Sequence, residues 1–329
     1  MADTIEATER HLMAQTLRRL TEDFDGVLLS KALADFGFAE VLAAAPREAV
    51  STLFDALGRA GSTTTALQDV LLQPLTGLLD GTAATHSVVL PWIAAGHAGS
   101  LDGDVVTLRG LLVGVRPVTA FLAPVTDNGE TAWVRVADSS ALSTRVVAGL
   151  DPDLAITEVG AKRLEVTVLS SGVQAKELWN AVAAAGRRAL GYQIVGAVGA
   201  MIDLAATHAC DRVQFGRPIG SFQGVRNRLA EAYVAWRAAA AALELAWEAD
   251  DERLAGMLAK SLSGRAARIA GTHCQQVLAG IGFTAEHPFH RYLARALVLD
   301  SVLGSTTELR KAIGQQLVSM GTIPRLVEL

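Results

Sequence analysis

One long amphipathic stripe constrains the fold of this 329-residue chain more than any other feature. Apolar residues recur in it at alternating steps of four and three, at Val225, Leu229, Ala232, Trp236, Ala239 and Leu243. This spacing predicts one helix over about Phe222 to Trp247, roughly 40 Å long at 1.5 Å per residue. A second stripe, Leu254 to Ile269, predicts another helix that ends near Gly271. Because such helices need other helices to cover their stripes, the sequence predicts a helical bundle.

The pattern of apolar and turn-forming residues changes twice along the chain. Residues 1–85 and 173–329 carry helical patterns, whereas residues 86–172 carry short apolar runs, such as Val105–Leu108 and Trp133–Val136, separated by turn residues such as Asp127-Asn128-Gly129. Strands at such regular spacing are typical of a small antiparallel barrel or sandwich. We therefore predict a mainly α protein with a central β domain, divided into three domains at these boundaries.

Composition excludes several classes of protein. Half of the residues are apolar, which is enough for a large buried core, and the formal net charge of −5 argues against binding to nucleic acid or to an anionic membrane. The two cysteines, Cys210 and Cys274, and a charged first segment without an apolar run predict a cytoplasmic protein. The uncharged segment Ala189–Ile202 has 14 residues, too few for a membrane span, and predicts a helix buried inside the protein.

Short catalytic motifs are missing from the sequence. It contains no phosphate-binding P-loop, no dinucleotide fingerprint after a predicted strand and no nucleophile elbow. His287 and His290 are three residues apart, but Pro288 lies between them, and no His or Cys cluster has the spacing of metal ligands. We predict no metal site.

Two longer blocks carry a resemblance. Residues 211–223, D-R-V-Q-F-G-R-P-I-G-S-F-Q, resemble the R-x-x-F-G-x-P-I-x-x-F-Q signature of the flavin-dependent acyl-CoA dehydrogenases. Residues 276–291 resemble the family's Q-x-x-G-G-x-G-x-x-x-x-P-x-x-R stretch, and residues 102–110 more weakly resemble its D-G-D-x-x-x-L-x-G hairpin. The resemblance implies an N-terminal helical domain, a β-barrel domain and a C-terminal four-helix bundle that also makes the oligomer.

The resemblance also implies a cofactor, FAD. A guanidinium with its planar donor fork is a natural partner for the FAD diphosphate, and glycine lets a ligand approach the backbone closely. In the family these blocks contact an FAD that lies mainly on a neighbouring subunit. Carried over to this sequence, the FAD-binding residues are Arg212, Gln214, Phe215, Gln223, Gln276 and Gly280.

The sequence departs from the family at the catalytic base. The reaction needs a carboxylate that removes the α-proton of an acyl-CoA, and most members carry that glutamate at the position of Leu303. Some relatives place it instead at the position of Gly186. Glu308 matches a structural glutamate of the family better than the base. We therefore predict no catalytic residue in this chain.

Two loops of the family are missing as well, the T-E-P-x-A-G-S-D loop that holds a subunit's own FAD and the P-E-x-x-G-G loop after Pro46. The chain thus resembles the shorter, degenerate subunit of actinobacterial α2β2 acyl-CoA dehydrogenases, several of which act on CoA thioesters of steroid side chains. This resemblance implies a longer catalytic partner, an acyl-CoA substrate and an electron-transferring flavoprotein as acceptor. Two alternatives stay open: a scaffold or regulatory protein without cofactor, and a homo-oligomeric flavoenzyme whose base is Glu308 or Asp300.

Overall fold

The computed structural model describes residues 7–114, 116–137, 139–284 and 286–321. The ends of the first and third predicted domains, residues 1–6 and 322–329, lie outside the described residues. The first part of the chain is helical, apart from short 3-10 turns. Its five α-helices are α1 (Ala7–Asp23), α2 (Gly26–Phe36), α3 (Phe38–Ala44), α4 (Pro46–Ala60) and α5 (Ala66–Leu72).

A nine-stranded sheet follows. Its strands are β1 (His86–Val88), β2 (Leu90–Pro91), β3 (Gly99–Asp102), β4 (Val105–Leu112), β5 (Ala120–Asp127), β6 (Glu130–Val136), β7 (Ser143–Val146), β8 (Thr157–Glu165) and β9 (Thr167–Ser171). Their order is β7-β8-β4-β3-β5-β6-β9, with β1 beside β5 and β2 beside β4. Most pairs are antiparallel, but β1 and β3 both run parallel to β5, which the turn spacing did not predict.

Helices return after the sheet. They are α6 (Gly172–Asp211), α7 (Gln223–Leu245), α8 (Glu252–Leu278), α9 (Phe289–Ser301) and α10 (Thr306–Met320). A short hairpin, β10 (Val213–Gln214) and β11 (Arg217–Pro218), lies between α6 and α7. The predicted order of helices, strands and helices is confirmed. Its three domain boundaries stay a prediction.

The described residues cluster into two compact units, which we describe separately. The first contains Met1–Phe24, Ala45–Ser62 and Arg187–Leu329, and the second contains Asp25–Ala44 and Thr63–Gly186. The second unit has a core of alternating strand residues, among them Val106, Leu108 and Val134, which are almost completely buried. At its Asp127–Gly129 turn, Asn128 and Gly129 both have positive φ angles, as expected for a two-residue hairpin loop.

The bundle of the first unit contains the helix predicted from the long stripe. Ala232, Ala239 and Leu243 of that stripe are buried, so the prediction for α7 is confirmed. The predicted end of the next helix is wrong, because α8 continues past Gly271 to Leu278. Gly271 is a packing residue there, since a Cβ at that position would press on the side chain of Leu293 in α9.

The apolar segment Ala189–Ile202 lies in α6 and is almost entirely buried, as predicted. Among the described helices, α6 alone is long and apolar enough to cross a membrane, and 78% of its most apolar window is covered by the rest of the protein. Its path crosses α4 very closely at Gly58 and Gly196. A Cβ at Gly196 would collide with the carbonyl group of Asp55, so the crossing requires glycine.

Candidate cofactor-binding surface

The first signature block forms the hairpin after α6. Its register pairs Val213 with Pro218 and Gln214 with Arg217, and the Ile219 amide donates to the Arg212 carbonyl at 2.8 Å, which ties the hairpin to the end of α6. The two residues of the turn, Phe215 and Gly216, have φ angles of +53° and +78°. Positive φ at both central residues defines a type I′ turn, for which asparagine and glycine are the usual residues.

Phe215 is unusual at this turn in two respects. A bulky residue at positive φ is strained by roughly 1–3 kcal/mol, and this side chain is also 93% exposed. Its ring touches Phe222 edge-on, with the ring centres 6.1 Å apart. Apart from this edge-on contact, the exposed ring buries little surface in its own chain, so the fold offsets little of the strain of the turn. The arrangement therefore indicates a surface that contacts something else.

The polar side chains of the same block are also exposed and make few contacts within the described chain. Arg212 is exposed, and within the described part of the chain its guanidinium makes no hydrogen bond or ion pair. The Gln214 amide donates only to the carbonyl of its neighbour Val213, at 2.8 Å. Gln223, the first residue of α7, is exposed too. Their donors thus face solvent, where an anionic or polar ligand can reach them.

The second signature block ends at the same pole of the bundle. Helices α7 and α8 are joined by a short connection and pack along their length, so they are antiparallel, and His273 of α8 contacts Glu231 of α7 at 2.9 Å. The exposed Gln276 and Gly280 follow His273 and therefore lie towards the end of the pair where Gln223 begins α7. The structure thus brings the six predicted residues to one end of one unit, while their role in binding FAD stays a prediction.

One residue of this block departs from the family pattern. Ala279 stands where the motif has its first glycine, and its φ of +51° and ψ of −135° are a conformation that glycine adopts without strain. At Gly280 a Cβ would meet nothing within 4 Å, so packing inside the chain does not require a glycine there. Close approach of a ligand backbone or ring is a reason to have it.

A groove of about 520 Å³ lies beside Arg212 and is lined by His208, Asp211 and His287, among others. Burial lowers the pKa of His208, the nearby His287 and Arg212 lower it further, and Asp211 raises it. In the described ranges, no group of three or more His, Cys, Asp or Glu side chains is placed to hold a metal ion.

The alternative bases are held in structural interactions. Glu308 accepts hydrogen bonds from the amide and hydroxyl of Ser305, both at 2.8 Å, in a capping box that begins α10. Asp300 is 2% exposed and accepts from the amide and hydroxyl of Thr306 and from Arg268. Gly186 lies inside α6, and Leu303 carries no titratable group.

The sequence did not predict that Lys260 and Arg187 are buried side chains that donate to the backbone around Leu303. Lys260 of α8 is fully buried, and its amino group donates to the carbonyl oxygens of Asp300 at 2.8 Å and Gly304 at 2.9 Å. Arg187 donates to the carbonyl of Leu303 at 3.0 Å, and burial lowers the pKa of this guanidinium to about 10. These two side chains fix the turn at Leu303 and Gly304, where φ is +57° and +100°. A lone lysine among the apolar residues of α8 was the available signal.

Comparisons with known proteins agree with this picture. Residues 178–318 match the family model "Acyl-CoA dehydrogenase, C-terminal domain". This part of the chain belongs to the acyl-CoA dehydrogenase family. Two similar proteins of Mycobacterium tuberculosis are acyl-CoA dehydrogenase FadE27, 32% identical over 67% of this chain and 62% of that protein, and acyl-CoA dehydrogenase FadE34, 34% identical over 60% of this chain and 27% of that protein. The match thus spans less than two thirds of either relative.

Solved structures show that the chain as a whole has the acyl-CoA dehydrogenase fold. A chain of the Tcur3481-Tcur3483 steroid acyl-CoA dehydrogenase superposes with a TM-score of 0.80 over 95% of this chain and 98% of that one, at 20% identity. A chain of the ChsE4-ChsE5 complex from Mycobacterium tuberculosis gives 0.76 over 99% and 100%, also at 20% identity. The cofactor of the family is FAD, as the sequence predicted, and a further structural neighbour, PigA, was solved with FAD.

Proposed function

We propose that this chain is the non-catalytic subunit of a heteromeric acyl-CoA dehydrogenase and supplies one wall of a flavin site whose base and remaining walls belong to a longer subunit. The observation that carries the proposal is the exposed, unpaired and partly strained surface around Arg212 and Phe215. Such a surface fits the adenosine diphosphate half of FAD, which needs cationic and amide donors and an aromatic face.

The catalytic carboxylate of the family is missing from both of its usual positions in this chain. Abstraction of the α-proton of a thioester needs a carboxylate near the substrate, and both family positions for it hold Leu303 and Gly186. Glu308 and Asp300 are each bound by several donors of their own segment. FAD, when bound, supplies the acceptor for the β-hydride. The part of this chain is to bind and orient the dinucleotide through Arg212 and the glutamines.

An exposed apolar stripe on α7 supports an oligomer. Val234 is 66% exposed and Leu245 41% exposed, and exposed alanines at 230, 238 and 241 lie at helical spacing between and beside them. This face lies on the side of α7 away from buried Ala232 and Ala239. A long apolar face of this kind suits another acyl-CoA dehydrogenase subunit.

One of the comparisons supports a proposal for the substrate class. The complex named above as a steroid acyl-CoA dehydrogenase superposes over nearly the whole chain, and its name contains two gene products. We infer that this chain, too, works in a two-gene enzyme on the CoA thioester of a steroid side chain, with an electron-transferring flavoprotein as acceptor.

Co-expression tests the proposal. The chain is produced with a longer acyl-CoA dehydrogenase from the same gene neighbourhood, and FAD per heterodimer is measured after purification. We expect one FAD per heterodimer, and its loss in Arg212→Ala. The matched control, Arg310→Ala, changes an exposed arginine of α10 and keeps the flavin. Unchanged flavin in Arg212→Ala would favour a scaffold instead, and a yellow, active chain purified alone would refute the subunit role.

A further inference from the structure

Arg217 is a residue of the hairpin that neither the sequence motif nor the proposed function uses. Its guanidinium carbon lies 4.3 Å from the centre of the Phe222 ring, and Phe222 in turn contacts Phe215 at an interplanar angle of 87°. The cation thus lies on an aromatic ring that also supports the strained turn. Stacking of this kind holds the planar guanidinium in place while its edge donors stay available.

The register of the hairpin places Arg217 on the same face as the predicted phosphate-binding residues. Gln214 and Arg217 are directly opposite each other in the antiparallel pair, so their side chains leave the hairpin on one face. Arg212 precedes Gln214 by two residues, and its carbonyl pairs with the Ile219 amide, which extends the ladder by one step. Arg212 lies one residue before β10, and its amide still donates to the His208 carbonyl of α6 at 2.9 Å. Alternation carried back from Gln214 places Arg212 towards that face of the hairpin as well.

The charge of this face is not neutralised within the described chain. Arg217, like Arg212, is exposed and makes no ion pair or hydrogen bond with any described residue. Two guanidinium groups on one small hairpin repel each other, although the protein as a whole has a net charge of −5. An anion with two charged groups side by side would relieve the repulsion.

We propose that Arg217 is a second diphosphate-binding residue, which together with Arg212 binds the diphosphate of the dinucleotide held by the partner subunit. This inference rests on the proposed function and deepens it, because it assigns the ligand's two negative charges to two guanidinium groups on one hairpin face. Phe222 acts as the platform that fixes Arg217, so less side-chain freedom is lost on binding.

The experiment compares FAD affinity in the co-expressed complex, from the fluorescence of released FAD, at 0.05 to 0.5 M salt. Arg217→Met keeps an unbranched side chain on Phe222 but removes the charge. We expect its Kd for FAD to rise about tenfold and to depend less on salt, since screening acts on the lost ionic contact. Arg217→Lys, which keeps the charge without the planar fork, should recover part of the affinity. Arg310→Met serves as the control for loss of an exposed arginine.

The remaining outcomes separate this inference from the proposed function. If Arg212→Ala loses FAD whereas Arg217→Met binds it like the wild type, the diphosphate role of Arg217 is refuted and the subunit role stands. A weaker affinity in Arg217→Met with an unchanged salt dependence would also refute it, because Arg217 would then act only through packing on Phe222. If both variants keep FAD, the proposed function itself fails.

Discussion

The buried Lys260 makes the stability of this protein depend on pH in a way that a single substitution can test. Burial lowers the pKa of Lys260 to about 7, although nearby Asp300 raises it. A neutral amine has two N–H donors, and the structure offers two acceptors, the carbonyl oxygens of Asp300 and Gly304. Lys260→Met removes the titrating group while it keeps most of the side-chain volume.

The magnitude follows from the linkage between proton binding and folding. In the unfolded chain this lysine takes up a proton below about pH 10.5, and in the folded protein only below about pH 7. Between these values the unfolded state binds more protons, so the free energy of unfolding rises with pH. At about 1.36 kcal/mol per pKa unit, the lysine destabilises the fold by roughly 5 kcal/mol below pH 7, and most of this penalty is relieved by pH 10.

Urea unfolding at pH 7, 8, 9 and 10, followed by tryptophan fluorescence, measures the effect in both proteins. We expect the free energy of unfolding of the wild type, relative to Lys260→Met, to rise by about 3–4 kcal/mol from pH 7 to pH 10. The variant leaves two carbonyls unpaired, at a pH-independent cost of about 1–3 kcal/mol each. Cys274, a buried thiol whose pKa burial raises to about 12, titrates in both proteins and cancels. A difference that does not change with pH would refute the reasoning.

Two further predictions concern the packing of the bundle and the strain of the hairpin. Gly196→Ala places a Cβ against the carbonyl of Asp55, and we expect it to lower the free energy of unfolding by about 2–4 kcal/mol in urea titrations. Gly314→Ala in α10, where a Cβ meets nothing within 4 Å, should instead raise it by about 0.5–1 kcal/mol. Phe215→Asn relieves the strain of the turn, so we expect thermal unfolding of the chain at a higher temperature and loss of FAD from the complex; a variant that keeps its FAD would contradict the role of the ring.

Much of the fold could be predicted from local patterns. The stripe in α7 and the turn at Asn128 and Gly129 each depend on a few neighbouring residues, whose spacing alone fixes a helix face or a hairpin. The end of α8 could not be predicted in this way. Gly271 resembles a helix stop in sequence, but it serves as the contact point for Leu293, a residue 22 positions later. The parallel pairs of β5 are likewise set by distant partners.

The sequence motif predicted which residues form most of the candidate surface, but it did not predict how the hairpin arranges their side chains. The motif named Arg212 and Phe215, but only the register of the hairpin places Arg217 opposite Gln214. The positive φ of Phe215 follows from the two-residue length of the turn, which a sequence without asparagine at that position does not reveal. Lys260 was missed because a single charged residue in an apolar stripe resembles a break in the pattern, until its two carbonyl acceptors are known.

The contrast between these two regions supports a divided active site. Around Leu303 the buried Lys260 and Arg187 hold a turn at the position where most family members carry the base, yet the position itself carries no carboxylate. Around Phe215 the chain keeps a conformation that costs stability, and its edge-on contact with Phe222 leaves the side chain 93% exposed. Strain and exposure persist where a contact outside the chain offsets them. A subunit that contacts a flavin bound by another subunit would show both the missing carboxylate and the strained, exposed Phe215. In a scaffold without cofactor, nothing would maintain the strained turn.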